Sequence, residues 1–372
     1  MNIVYVWSLP TRLFHWLLVL FVVAAYLTAE EDNLLTWHAA VGVSAGILLL
    51  YRILWGFVGP AYSRFRDFDL RTSSLKTYLM TLFKKDAAAY VGHNPAAGFA
   101  TVGILAVTLL LVLTGLLAYG IQENRGLFAF LHSGFFREME RFKELHEALG
   151  TLLYLLIGAH VAGALFDRLR HPTHGTLGSI VDGYKHLEGR SVRLTFWQTL
   201  LAAVGIGGSL LALIYILGVR DNAVTAPHHV AVDYQKEHPL FVNECASCHI
   251  LYPPSLLPEH AWSSMMATLE DHFGDDASLE PADAQRILDY LTANAAEHST
   301  AEASVKLLKS LPNQDIIAIT QTPFWKRTHR AIEARVFESE PVKSRANCKA
   351  CHGDVERGLL EDTAIKMPET RS

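Results

Sequence analysis

The sequence predicts an all-α protein in two parts: a four-helix transmembrane bundle with a fifth transmembrane helix, then a small, mainly helical polar module. Three observations predict it. The 372 residues are 51% hydrophobic with a mean hydropathy of +0.20, too apolar for an ordinary soluble chain. The apolar residues gather in five runs within the first 219 positions, each long enough to cross a hydrocarbon core roughly 30 Å thick. The two parts also differ in charge. Residues 1–220 hold 18 Lys and Arg against 14 Asp and Glu, a net +4, whereas 221–372 hold 14 against 23, a net −9. The expected boundaries are 1–194 for the bundle, 195–220 for the fifth helix, 221–239 for a linker and 240–372 for the polar module.

The first run, Leu9 to Leu27, opens with Trp7, Pro10 and Arg12 and contains His15. A secretory leader would use Arg12 and the small residues at 24–29 in the same way, but the run is long enough to span and a histidine is out of place in a disposable segment. Residues 30–33, EEDN, make the turn to the second run, His38 to Val58. A loop carrying Arg64, Arg66, Arg71, Lys76, Lys84 and Lys85 leads through GHNP at 92–95 to the third run, Phe99 to Tyr119. The fourth, Leu145 to Phe166, holds His146 and His160; the fifth, Phe196 to Val219, has neither charge nor histidine and reads as a plain anchor. Loops 58–98 and 167–194 carry 11 Lys and Arg, loops 28–37 and 120–145 only 4. The positive-inside rule therefore puts the N-terminus in the cytoplasm and the C-terminal part outside. Beyond a tether at 220–240, helical stretches are expected near 260–273, 281–297 and 301–310, with prolines 253, 254, 258, 312, 323 and 341 as breakers.

All four cysteines lie in two CxxCH units, Cys245, Cys248 and His249, and Cys348, Cys351 and His352. That spacing is the one for covalent attachment of c-type haem: two thioethers to one porphyrin and an axial imidazole beneath its iron. A zinc half-site or a redox dithiol is the competing reading of one such unit; two, each ending in histidine with no cysteine left over, disfavour it. Such attachment takes place outside the bacterial inner membrane, in agreement with the charge bias. In the fourth run, His146 and His160 are fourteen residues apart, about 21 Å and nearly four turns of helix, so they share one face. Ionisable side chains inside a membrane helix are costly and mark function; the alternative is a pair of helix-packing histidines. By depth His15 pairs with His160 on the cytoplasmic side and His38 with His146 on the periplasmic side, which suits two stacked bis-histidine b haems.

The segments VWSLPTRLFHW, WHAAVG, YRILWGFVGP, YVGHNPAAG and LHEALG…AH resemble the bacterial cytochrome b561 and nickel-hydrogenase cytochrome b family over about 3–190. That resemblance implies a four-helix bundle with two b haems that exchange electrons with quinone; the fifth helix departs from it. Residues 240–368, with ECASCHILYPPSLLP, LEDHFGDDASLE and CKACH, are similar to small periplasmic dihaem c cytochromes. The resemblance implies a second histidine on each c iron: His272 in LEDHF for the first and His329 in FWKRTH for the second, with a crossed pairing left open. Met265, Met266 and Met367 are the alternatives for a His/Met iron, and His228, His229, His238, His260 and His298 read as surface residues.

The expected protein is thus a bacterial inner-membrane tetrahaem wire with two haem b and two covalent haem c. Electrons would pass between ubiquinone or menaquinone and a periplasmic acceptor, as in quinol:cytochrome c-type oxidoreduction. Arg12, Trp16, His93 and Asn94 lie at the depth expected of a quinone site; Arg12, Arg52 and Arg64 also read as propionate counter-ions or snorkelling residues. The acidic module excludes nucleic acid and suits a soluble cytochrome or haem protein with a basic patch. Superoxide:quinone oxidoreduction, a cytochrome subunit of a larger complex and a haem gas sensor are the alternatives. Homo-oligomerisation stays open.

Overall fold

The computed structural model describes residues 3–30, 34–82, 89–135, 141–219, 222–226, 228–311, 316–361 and 364–368. Lys84, Lys85, most of the EEDN turn and residues 220, 221 and 227 of the tether lie outside them. The chain forms two compact units, Met1–Gly120 with Arg125–Phe130 and Glu140–Pro227, and Ile121–Asn124 with Leu131–Met139 and His228–Ser372.

Among the described residues, five helices are long and apolar enough to cross a membrane: α1 (Leu9–Leu27), α2 (Leu35–Val58), α4 (Pro95–Glu123), α5 (Arg141–Arg170) and α6 (Phe196–Gly218). A shorter helix, α3 (Thr72–Thr81), occupies part of the basic loop, where no helix was expected. Pro10 sits in the first turn of α1, where its missing N–H is no loss. Helix α4 starts four residues before the expected Phe99, because the Asn94 carboxamide accepts from the backbone of Ala97 at 2.8 Å and caps the end. Helix α6 opens with a reciprocal capping box between Thr195 and Gln198.

Helix α6 is not the plain anchor that its composition suggests. It packs along α2, with Ser209 donating to the Ser44 carbonyl at 2.8 Å in a buried position. A Cβ added to Gly205 would lie 2.5 Å from the Tyr51 ring. Small residues that let two backbones approach are the usual means of helix association in a bilayer, where lipid is as apolar as leucine. The GIGGS run at 205–209 carries that signal.

A two-stranded antiparallel sheet, β1 (Val4–Tyr5) with β2 (Tyr184–Lys185), is the other feature the sequence did not announce. It ties the segment before α1 to the segment after α5. Gly183 makes the tie possible: its φ is +92°, and a Cβ there would lie 2.7 Å from the Trp7 carbonyl oxygen. Its own carbonyl accepts from Val6 at 2.8 Å. The start of α1 and the end of α5 are thereby held together, and these are the ends that carry His15 and His160.

The second unit contains α7 (Pro239–Cys245), α8 (Glu259–Met266), α9 (Pro281–Ala293), α10 (Glu302–Ser310), α11 (Pro323–Thr328) and α12 (Ala334–Glu338). The stretch expected as one helix over 260–273 ends at Met266 and resumes as a 3-10 turn at Leu269–Asp271, before Phe273 (φ 58°) and Gly274 (φ 100°) turn left-handed. The stretch over 281–297 likewise ends at Ala293 and resumes as a 3-10 turn at Ala296–His298. Phe241, Leu257, Trp262, Ile287 and Leu291 make its main apolar core, with the Trp262 indole donating to the Pro254 carbonyl at 2.7 Å.

Gly205→Val should destabilise the α2–α6 contact by about 1–3 kcal/mol, the usual cost of overpacking. Thermal unfolding in detergent should show a lower midpoint, and Val204→Leu, on an exposed position, should leave the midpoint in place.

Candidate functional site

The eight histidines predicted as ligands come together as four pairs with one spacing. In the membrane unit the ring centres of His15 and His160 are 6.4 Å apart, and those of His38 and His146 are 6.1 Å apart. In the second unit His249 and His272 are 6.2 Å apart, and His329 and His352 are 6.1 Å apart. Two nitrogen-to-metal bonds of about 2.0 Å each, plus about 1.1 Å from each ring nitrogen to its ring centre, span about 6.2 Å. The gap is too wide for direct contact of the imidazoles and matches one iron held between them. Among the two c-type pairings left open by the sequence, the structure joins His249 to His272 and His329 to His352.

The outer nitrogens show how the rings are aimed. His38 Nδ1 donates to the Ala25 carbonyl at 3.0 Å, in the last turn of α1, where carbonyls lack helical partners. His146 Nδ1 donates to the Leu111 carbonyl of α4 at 3.0 Å. His249 and His329 do the same toward Ile250 at 2.6 Å and Trp325 at 2.9 Å. A carbonyl can only accept, so in each neutral ring Nδ1 carries the proton and Nε2 keeps the lone pair a metal needs. His15 Nδ1 and His352 Nδ1 are buried without a hydrogen-bond partner. Burial also pushes His329 and His352 below the ordinary histidine range.

Helix α7 delivers Cys245 at its last residue, and a 3-10 turn at Cys348–Ala350 opens the second unit, where His352 N–H donates back to the Cys348 carbonyl at 2.7 Å. The backbone of Lys366 donates to the Cys351 carbonyl at 2.9 Å, so the end of the chain returns past the second CxxCH unit. All four thiols are unpaired. Burial pushes the Cys245 and Cys348 thiols up to about 11. No group of three or more His, Cys, Asp and Glu able to hold a bare metal ion occurs among the described residues. Two cysteines in each CxxCH unit and a histidine pair at each, 6.2 and 6.1 Å apart, are a donor set that fits covalently held haem.

The remaining candidates have mixed surroundings. Arg12 donates to the Val181 carbonyl, Trp16 to the Ile180 carbonyl at 3.1 Å, and Asn94 caps α4. Each thus has a local structural partner. His93 differs: its ring lies 4.9 Å from Trp7 and 4.5 Å from Phe68, and its buried Nδ1 has no partner. Burial, then Arg52, Lys185 and His160, push it down to about 3. Arg64 pairs with Asp67 at 3.1 Å. His229 and His298 pair with Glu361 and Glu259 at 2.7 and 2.8 Å, and His238 caps α7 by accepting from Phe241.

Sequence reasoning missed Lys185, which is 3% exposed and donates to the carbonyls of Tyr90 and Gly92 at 3.2 Å each. It also left open the role of Arg52, which is 4% exposed. A charge within an apolar run was the available signal for Arg52. A lysine in a polar loop offered none.

Comparison with known proteins follows this division. Residues 6–183 match the family described as prokaryotic cytochrome b561, and residues 241–360 match dihaem cytochrome c. The probable Ni/Fe-hydrogenase 1 B-type cytochrome subunit of Escherichia coli (strain K12) is 27% identical over 214 residues, 49% of this chain and 90% of that protein. The probable Ni/Fe-hydrogenase B-type cytochrome subunit of Bradyrhizobium diazoefficiens is 28% identical over 159 residues, 36% of this chain and 63% of that one. Among solved structures, a diheme cytochrome c from Rhodobacter sphaeroides is 39% identical, covering 35% of this chain and 99% of its own, with a TM-score of 0.31. The diheme cytochrome c of Shewanella baltica OS155 is 34% identical, covering 35% and 91%, with a TM-score of 0.28. The chain is an electron-transfer cytochrome that belongs to the prokaryotic cytochrome b561 family over its membrane part and to the dihaem cytochrome c family over its C-terminal part.

Proposed function

We propose that this chain passes electrons between a membrane quinone, ubiquinone or menaquinone, and a soluble periplasmic partner, by way of two b haems and then two c haems. The observation that carries the reading is the common spacing of 6.1–6.4 Å in four histidine pairs. Bound haem would supply a reversible one-electron iron couple at each pair. His15 with His160 and His38 with His146 would hold the two b haems. His249 with His272 and His329 with His352 would hold the c haems, with Cys245, Cys248, Cys348 and Cys351 as thioether anchors. With two imidazoles on every iron no coordination position is left open, which disfavours gas sensing. The family and the excess of basic residues in two loops support an inner-membrane location with the N-terminus cytoplasmic and the C-terminal unit periplasmic.

On this reading a quinone would bind near His93, whose unpartnered Nδ1 suits a proton-exchanging ligand, with Arg12, Trp16 and Asn94 shaping its surroundings. The net −9 of residues 221–372 would steer a partner with a basic patch. The names of the relatives favour a second reading, in which the chain is the cytochrome subunit of a larger redox complex. Co-purification of the full chain with a redox subunit from its native membrane would select that second reading.

His160→Ala and His38→Ala should each remove one of two non-covalent haems and leave both covalent ones, as counted by pyridine haemochrome and mass spectrometry. A quinol analogue should reduce the b bands first and the c bands after them; b reduction with no c reduction refutes the relay. A basic soluble cytochrome should oxidise the reduced chain with a rate that falls as ionic strength rises; a salt-independent rate refutes electrostatic steering.

A further inference from the structure

The two membrane histidine pairs are spaced alike but are not hydrogen-bonded alike. At the pair of His38 and His146 both outer nitrogens donate to main-chain carbonyls, Ala25 and Leu111, at 3.0 Å each. At the pair of His15 and His160, His15 Nδ1 is buried with no acceptor. Donation of the outer N–H to a carbonyl makes an imidazole a more basic ligand, and a more basic ligand favours ferric over ferrous iron. Hydrogen bonding around the ligands is one of the levers by which a protein sets a haem potential.

The bond at His146 depends on Gly115. The Leu111 carbonyl already accepts the helical N–H of residue 115, so the imidazole must approach over that residue. A Cβ on Gly115 would lie 2.9 Å from His146 Cε1 and 3.2 Å from its Nδ1. Thr114 lies alongside, with its hydroxyl 3.2 Å from His146 Nδ1 while it donates to Leu110 at 2.8 Å.

Resting on the bis-histidine reading above, we propose that the two b haems are held at different potentials, with the site of His38 and His146 the lower. The split is set by the carbonyls of Ala25 and Leu111, and Gly115 is the positioning residue that lets the second of them be reached.

The test is a redox titration of the purified full chain in detergent, followed at the b absorption bands. Two b steps are expected, at least tenfold apart in the electron's distribution, which is 59 mV for one electron. Gly115→Ala should raise the lower step and leave the upper one in place with haem content unchanged. His146→Met should raise the lower step, since a thioether ligand raises the potential, or abolish that step if the haem is lost. His160→Met should act on the upper step in the same way. A single unresolved b step in the unaltered chain, or an effect of Gly115→Ala or His146→Met on the upper step, overturns the proposal. Two b steps indifferent to both methionine substitutions would instead overturn the ligand reading on which it rests.

Discussion

A histidine serves an iron only when one ring nitrogen is bare and pointed at the metal, and its other nitrogen decides whether that orientation is stable. In this chain a backbone carbonyl receives the outer N–H of His38, His146, His249 and His329. The acceptors come from different local structures: the end of one membrane helix, the middle of another, the next residue in a loop, and the preceding turn of a short helix. The result in each case is a lone pair facing a second imidazole about six ångströms away. The long helices and the short ones are different scaffolds solving the same problem of holding two rings at one separation. In the membrane unit the partner rings stand on helices α1 and α5 for one pair and α2 and α5 for the other, so α5 is common to both.

That common role explains why the fold was legible where it was. A fourteen-residue spacing on one helix is visible in the sequence because the helix repeat is fixed, and depth alone then assigns His15 and His38 as partners. The CxxCH units are visible because covalent attachment demands local spacing. His272 and His329 have no such signature, lying 23 residues from each neighbouring CxxCH histidine in sequence, and only family resemblance brought them forward. The carbonyls of Ala25 and Leu111 leave no trace at all, since every residue carries a carbonyl; their role emerges from packing. The fifth helix was misread for a different reason. Its small residues leave the run apolar enough to span a membrane, yet Gly205 and Ser209 set how closely it meets α2.

The polar surroundings of the two membrane pairs follow from where each lies along the helices. His15 and His160 lie near the ends tied by β1 and β2, and the loops there supply Lys185, His93 and, from within α2, Arg52. A buried guanidinium and a buried ammonium are each expensive without an anion. The Arg52 guanidinium leaves Nη1 unpaired while its plane lies 5.3 Å from the Phe65 ring and 5.8 Å from that of Phe14, a weak cation–π compensation. Lys185 has the carbonyls of Tyr90 and Gly92 as acceptors, and an anionic cofactor edge in this region would relieve the cost that is left at Arg52.

The proposed orientation and the proposed order of potentials oppose one another in a useful way. A membrane negative inside pushes an electron toward the periplasmic pair, by about 2.3 kcal/mol for each 100 mV across the full thickness. The hydrogen bonds to His38 and His146 push it back toward the cytoplasmic pair. Two sites of equal intrinsic potential would be strongly split by the field, leaving the electron on one side. Two sites split in the opposite sense come closer to balance on an energised membrane, and a balanced pair conducts in either direction. A short relay of this kind takes its direction from the partners at its ends, here the proposed quinone on one side and the proposed soluble partner on the other.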